Sequence, residues 1–205
     1  MYEDNLLVGK GLKLLFFSEL AIAVSGILEG MLGSLLEFVA LVLSLVALNM
    51  VRRAHPLFRW AFRVSAAQLP VIGLVILAYG LAGTAISLGI AAGILMMLVA
   101  AVTVLRFCVI YLVCTAAGQI LSSSGFDAEA AKGKTAWKFC LVDMAVCLTF
   151  MAMAAMPSLI IAIGSAGALA SSIVLSIVMG IIRLVSTIMY LLFLYNAYHA
   201  LLRES

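Results

Sequence analysis

Charged side chains are scarce in this sequence. Of its 205 residues only 10% are Asp, Glu, Lys or Arg, whereas 66% are hydrophobic and the mean hydropathy is +1.29. Charged residues make up about a quarter of an average soluble domain. The shortage therefore excludes a water-soluble globular fold and indicates that the solvent of this chain is the lipid bilayer.

The residue types that build metal centres, disulfide frameworks and catalytic sites are also few. The chain has two histidines, and its four cysteines include no CxxC pair. All four cysteines lie in apolar segments, where free cysteine packs as a small hydrophobic residue. The sequence has no HExxH motif and no phosphate-binding loop. We therefore expect no metal, no cofactor and no enzymatic activity.

The few basic residues are clustered, and the clusters set the predicted orientation. The segment from Met50 to Arg63 contains four arginines, and a second cytoplasmic loop, predicted from Ser122 to Lys138, contains three lysines. The alternate turns contain neither Lys nor Arg. Loops rich in Lys and Arg stay on the cytoplasmic side, and Trp favours the headgroup boundary. We expect both termini to be cytoplasmic. The predicted topology anchors are Arg52, Arg53, Arg59, Arg63, Trp60 and Trp137.

The chain length accommodates about six membrane spans, because one spanning helix needs roughly 20 apolar residues. We predict an all-α integral membrane protein with a single domain over residues 1–205. Its six transmembrane helices would form three tandem hairpins, at approximately residues 11–51, 58–121 and 136–203. The spans are predicted near residues 14–32, 35–51, 64–81, 100–121, 139–156 and 180–202.

Two apolar runs are too long for a single crossing. Residues 86–121 would extend roughly 54 Å as one helix, against a bilayer core of about 30 Å. The charge-free stretches 83–97 and 160–178 are rich in Gly, Ala and Ser. We predict a break near Gly89 and Gly93, with outer re-entrant or interfacial segments before the fourth and sixth helices. The alternative is that both stretches extend their helices above the bilayer.

A repeated polar pattern supports the three hairpins. Each span that begins at the cytoplasmic side places one carboxylate or amide at the same depth, at Glu19, Gln68 and Asp143. Each returning span places an amide nearer the cytoplasm, at Asn49, Gln119 and Asn196. Internal repeats of this kind are common in transporter folds.

Ionisable residues inside a span are costly and are therefore functional candidates. An outer layer contains Glu37, Arg106 and Arg183. These three side chains would leave one positive charge for an anionic ligand, or would form a structural salt bridge. In the inner layer Glu19 and Asp143 have no cation at their own depth. Each would need a proton, an inorganic cation or a reaching lysine, unless interfacial water solvates it.

Two functions follow as expectations. The first is a transporter or channel-like permease for an unknown small solute, coupled to protons through the buried carboxylates. The second is a non-catalytic subunit or scaffold of a larger membrane complex. The expected location is the cell (inner) membrane. Besides the lipid bilayer, the expected partner is another membrane protein or a second copy of the chain. Nucleic acid is not expected, because membrane topology explains the basic clusters.

A resemblance to a known protein family also supports the second function, that of a subunit in a larger complex. In size, in span count and in the small residues of its first span, Ala21, Ala23, Gly26 and Gly30, the chain resembles the substrate-binding membrane subunits of energy-coupling-factor vitamin transporters. The resemblance implies six helices that dock on a partner through small residues of the first helix.

Overall fold

The structure is a computed structural model that describes residues 2–25, 31–81, 88–154 and 165–203. These residues form six α-helices and no strand, which confirms the all-α prediction. The helices are α1 (Tyr2–Ser25), α2 (Met31–Val51), α3 (Pro56–Leu81), α4 (Leu88–Ser123), α5 (Asp127–Ala154) and α6 (Ser165–Arg203).

The turns between helices follow from local sequence. Pro56 opens α3, where its fixed φ and missing N–H suit the first helical position, and the Leu57 N–H donates to His55 Nδ1 at 3.3 Å. Gly125 follows the C-terminus of α4 and has a φ of +85°. The Phe126 N–H there donates to the Leu121 carbonyl at 2.8 Å. This is the Schellman arrangement, which favours glycine because its left-handed backbone strains other residues.

The helices contact one another in a closed cycle. Each helix contacts its neighbours in the chain, α6 contacts α1, and α4 also contacts α6. The buried core lies toward the end of the bundle that carries the α2–α3 and α4–α5 turns. Its large, fully buried side chains include Leu12, Phe58, Val113, Phe193 and Leu194.

Among the described residues, three helices are long and apolar enough to cross a membrane. They contain the segments Gly93–Ser123, Asp127–Met153 and Ser176–Arg203, and a shorter apolar segment covers Phe38–Val51. Their length and composition support a membrane protein.

Several helices begin earlier than the sequence predicts. The helix α1 already starts at Tyr2, and α5 starts at Asp127, so most of the predicted second cytoplasmic loop is helical. Polar residues can extend a helix beyond its apolar part, because the backbone hydrogen bonds need no apolar side chains. Glu129 and Lys132 assist here as an i,i+3 ion pair at 4.0 Å.

The break predicted near Gly89 and Gly93 is wrong. The helix α4 is continuous from Leu88, and α6 is continuous from Ser165, so each extends as one long helix. Without proline, Gly, Ala and Ser residues leave the i→i−4 hydrogen bonds intact, and helix satisfies every backbone group in an apolar medium. Residues 83–87 and 160–164 of the two stretches, and the predicted contact residues Gly26 and Gly30, lie outside the described residues.

Candidate functional site

A buried ion pair joins the first and fourth helices. The Arg106 Nη2 donates to Glu19 Oε2 at 3.1 Å, and the Glu19 side chain is only 9% exposed. The expectation that Glu19 has no cation at its own depth is therefore wrong. The two predicted layers are bridged because the long arginine side chain reaches from α4 to a carboxylate on α1.

A second carboxylate and a second guanidinium lie beside this pair. The half-buried Asp143 of α5 is within electrostatic reach of Arg183 on α6 and of Arg106. The expectation that Asp143 also lacks a nearby cation is thus wrong. We call Glu19, Arg106, Asp143 and Arg183 the charged cluster. The formal charges of these four groups cancel. The surplus positive charge predicted for the outer layer stays a prediction, because the Glu37 side chain lies outside the described residues.

Helix register explains why these residues meet. Arg106 is 17 residues before the end of α4 and Asp143 is 16 residues after the start of α5. At 1.5 Å per residue both lie roughly 25 Å from the Gly125 turn that joins the two helices. Between α5 and α6, the Cys140 Sγ donates to the Ser186 carbonyl oxygen at 3.9 Å.

That contact shows that Asp143 and Arg183 lie at the same height along α5 and α6. Asp143 lies three residues after Cys140, and Arg183 lies three residues before Ser186, on helices that run past each other in opposite directions. Asp143 and Arg183 are therefore level. The Ser186 hydroxyl donates to the Arg183 carbonyl at 2.9 Å and lies beside the Asp143 carboxylate.

Tyr190 contributes a polar group that has no hydrogen-bond partner within the described part of the chain. Its side chain is buried, with 2% of the residue exposed, and its hydroxyl is unpaired. The charged groups of Glu19 and Arg106 are within electrostatic reach of this hydroxyl. Buried polar groups are nearly always hydrogen-bonded. The orphaned hydroxyl therefore points to a polar partner beyond the residues that the structure describes.

The sequence did not single out Tyr190, although a signal was present. Arg183, Ser186 and Tyr190 are spaced i, i+3 and i+7, which places them on one face of α6. A polar face of this kind in an apolar helix predicts a polar neighbour. The tyrosine was missed because an isolated Tyr in an apolar run is also typical of packing.

No hydrogen bond or ion pair among the described side chains joins the other predicted polar residues to the cluster. Gln68 is buried on α3, whereas Asn49 and Gln119 are exposed. The Asn196 amide donates to the Leu192 carbonyl of its own helix at 2.7 Å. That the three inner amides share one depth stays a prediction, and the Glu37 side chain lies outside the described part.

The predicted topology anchors lie near the two described turns. Arg52 and Arg53 follow the end of α2, while Arg59, Trp60 and Arg63 lie in the first turns of α3. Near the start of α5, Trp137 packs edge-on against Tyr111 of α4, with ring centroids 5.3 Å apart.

Within the described ranges no group of three or more His, Cys, Asp or Glu side chains could hold a metal ion. No protein-family model matches the chain, and neither a curated protein nor a solved structure matches it.

Proposed function

We propose that this protein is a multi-pass permease for a small polar solute in the cell (inner) membrane. In this proposal all six helices span the membrane as three tandem hairpins, and both termini are cytoplasmic. The three long apolar helices and the basic turns support this orientation. The closed cycle of helix contacts gives such a bundle an interior.

The charged cluster with the orphaned Tyr190 hydroxyl is the observation that carries the proposal. Ionisable groups inside a membrane bundle are expensive and mark substrate or ion pathways. Four helices supply the cluster, and Tyr190 adds a buried donor and acceptor that no described residue satisfies. A solute bound among these groups would supply the partner that Tyr190 lacks.

The charge balance of the cluster favours a solute with no net charge. Its two carboxylates and two guanidiniums neutralise each other, so a bound anion or cation would leave one charge uncompensated in a medium of low dielectric. A neutral or zwitterionic solute avoids that cost. The anionic ligand that the sequence suggested is accordingly disfavoured.

We assign proton coupling to Asp143 and solute contact to the Glu19–Arg106 pair. A guanidinium at hydrogen-bond distance stabilises the Glu19 carboxylate. Asp143 makes no direct ion pair among the described residues and is only half-buried. It is therefore the carboxylate that can exchange a proton while the pair stays intact.

Transport by the purified protein in liposomes tests the proposal. The probes are glycerol, glycine, methylammonium and acetate, which represent a neutral, a zwitterionic, a cationic and an anionic solute. We expect uptake of glycerol or glycine and faster uptake under an inward proton gradient. Asp143→Asn should abolish the gradient effect while exchange of the solute persists, and Glu19→Gln should abolish uptake itself.

Two control variants for Asp143→Asn alter other carboxylates of α5. Asp127→Asn and Glu129→Gln remove carboxylates of α5 that lie near the Gly125 turn, outside the charged cluster, and should leave transport unchanged. Uptake of none of the four probes, together with co-purification of a stoichiometric partner protein, would instead favour the subunit function.

A further inference from the structure

A cleft lies where α2 ends and α3 begins. It has a volume of about 310 Å³ and is lined by Arg52, Arg53, Arg59, Phe62 and Arg63. We call it the basic cleft. It lies at the turn end of the bundle, whereas the charged cluster is roughly 25 Å from the Gly125 turn, so the two sites are separate.

No carboxylate among the described residues pairs with the arginines of the basic cleft. The ion pairs among the described residues join Arg106 to Glu19 and Lys132 to Glu129, and none includes an arginine of the cleft. The N-terminus of α3 adds the positive end of a helix dipole at the same place. Four guanidiniums around one cleft repel each other unless an anion binds between them.

Aromatic rings hold two of the guanidiniums in position. The Arg52 Cζ lies 5.6 Å from the Phe62 ring centroid, and the Arg63 Cζ lies 5.1 Å from the Trp60 ring centroid. Stacking on a ring restricts the guanidinium plane without consuming its N–H donors. The donors stay available for a ligand, and less side-chain entropy is lost when it binds.

The surroundings of the basic cleft indicate a lipid headgroup as the ligand. Trp60 is 55% exposed beside the cleft, and Leu74, roughly four turns further along α3 and close to the same face, is also exposed. In a membrane protein this face meets the acyl chains, and Trp sits at the headgroup level. Arginine binds phosphate oxygens through paired, charge-assisted hydrogen bonds. We propose that the basic cleft binds the phosphate of an anionic phospholipid headgroup.

Native mass spectrometry of the full chain in detergent tests this site, with stepwise addition of phosphatidylglycerol or phosphatidylcholine. Both lipids carry the phosphate, but the choline cation of phosphatidylcholine cancels its charge and would be repelled by the arginines. We therefore expect the wild type to bind phosphatidylglycerol at least about tenfold more tightly. Arg52→Gln/Arg59→Gln should lose this preference. Lys134→Gln/Lys138→Gln removes the same charge from exposed positions on α5 and should keep it.

Two further variants protect the test against unfolding and altered insertion. Arg52→Lys/Arg59→Lys retains the charge that sets topology and should bind phosphatidylglycerol more weakly than the wild type, because Lys cannot bind phosphate bidentately. If the double Gln variant is not monodisperse, Arg59→Gln is compared with Lys134→Gln instead.

Equal binding of the two lipids by the wild type would overturn the proposal. The proposal would also be overturned if Arg52→Gln/Arg59→Gln and Lys134→Gln/Lys138→Gln lost the lipid preference equally, because the net charge of the protein alone would then explain binding. Tight binding of inorganic phosphate without any lipid preference would overturn the lipid assignment and identify free phosphate as the ligand.

Discussion

The Arg106 guanidinium binds the Glu19 carboxylate across the helix bundle, with 3.1 Å between Nη2 and Oε2. The two helices that carry these residues, α4 and α1, share no backbone contact among the described residues. The ion pair is therefore a direct link between opposite parts of the helix cycle, and its strength can be measured.

A double-mutant cycle on this pair should show strong coupling. We expect Arg106→Gln to destabilise the protein by roughly 2–3 kcal/mol, less than the 3–5 kcal/mol typical of a fully buried pair. The reason is that the Arg106 side chain is 35% exposed. Glu19→Gln/Arg106→Gln should be less destabilised than the sum of the single variants.

Unfolding in mixed micelles, followed by circular dichroism, measures these free energies. Additive effects of the two substitutions would show that the pair contributes nothing to stability. Lys132→Gln is a suitable reference, because its ion pair with Glu129 is exposed and worth about 0.2–0.5 kcal/mol at most.

Tyr190→Phe should separate binding from stability. The hydroxyl is buried without a described partner, so its removal relieves a polar group that costs about 1–3 kcal/mol. We expect unfolding free energy to stay equal or to rise by about 1 kcal/mol, while solute uptake falls. Both are measured on one preparation. A clear loss of stability would mean that the hydroxyl is hydrogen-bonded within the chain.

The sequence predicts the polar positions well and their partners poorly. Glu19, Arg106, Asp143 and Arg183 all stand out as charges inside apolar runs, and all four belong to the cluster. Their pairing depends on which helices face each other, which hydropathy does not encode. The depth assigned to Arg106 is also misleading, because its long side chain acts far from its backbone.

Some helix ends can be predicted from the sequence and others cannot. The turn at Gly125 is predictable, because basic and polar residues follow an apolar run there and glycine suits its backbone. The start of α1 at Tyr2 is not, since its first residues are polar and hydropathy registers only the apolar part. Glycine patterns mislead as well, because Gly89 and Gly93 lie in a continuous helix.

Gly133 marks a close contact that should tolerate no added side chain. A Cβ there would lie 2.8 Å from Phe193 Cε2 and 3.2 Å from the Cys114 carbonyl oxygen. Overpacking of this kind costs about 1–3 kcal/mol, which outweighs the gain of up to about 1 kcal/mol from replacing a helical glycine. We therefore expect Gly133→Ala to lower the thermal midpoint.

Gly180→Ala is the matched control, because nothing lies within 4 Å of its added Cβ. It should be neutral or stabilising. Phe193→Leu should partly rescue Gly133→Ala by removing the ring atoms that the methyl group meets. Destabilisation of both glycine variants by the same amount would exclude the packing explanation.

The proposed orientation predicts which end of α4 is accessible from outside the cell. Met97 is 77% exposed and lies 26 residues before Ser123. This separation is roughly 39 Å along a helix and exceeds a bilayer core of about 30 Å. A cysteine at Met97 should react with a membrane-impermeant maleimide on intact cells. A cysteine at Ser123 should react only after permeabilisation, because the adjoining basic turn is held on the cytoplasmic side.

The wild type provides the background for this labelling, since its four cysteines are buried or only partly exposed within the helices. Arg53→Cys should behave like Ser123→Cys if the two basic turns lie on one side, as tandem hairpins require. Labelling of Arg53→Cys on intact cells, with Ser123→Cys still protected, would rule out the three-hairpin arrangement. Labelling of both, with Met97→Cys protected, would retain the hairpins and reverse the orientation.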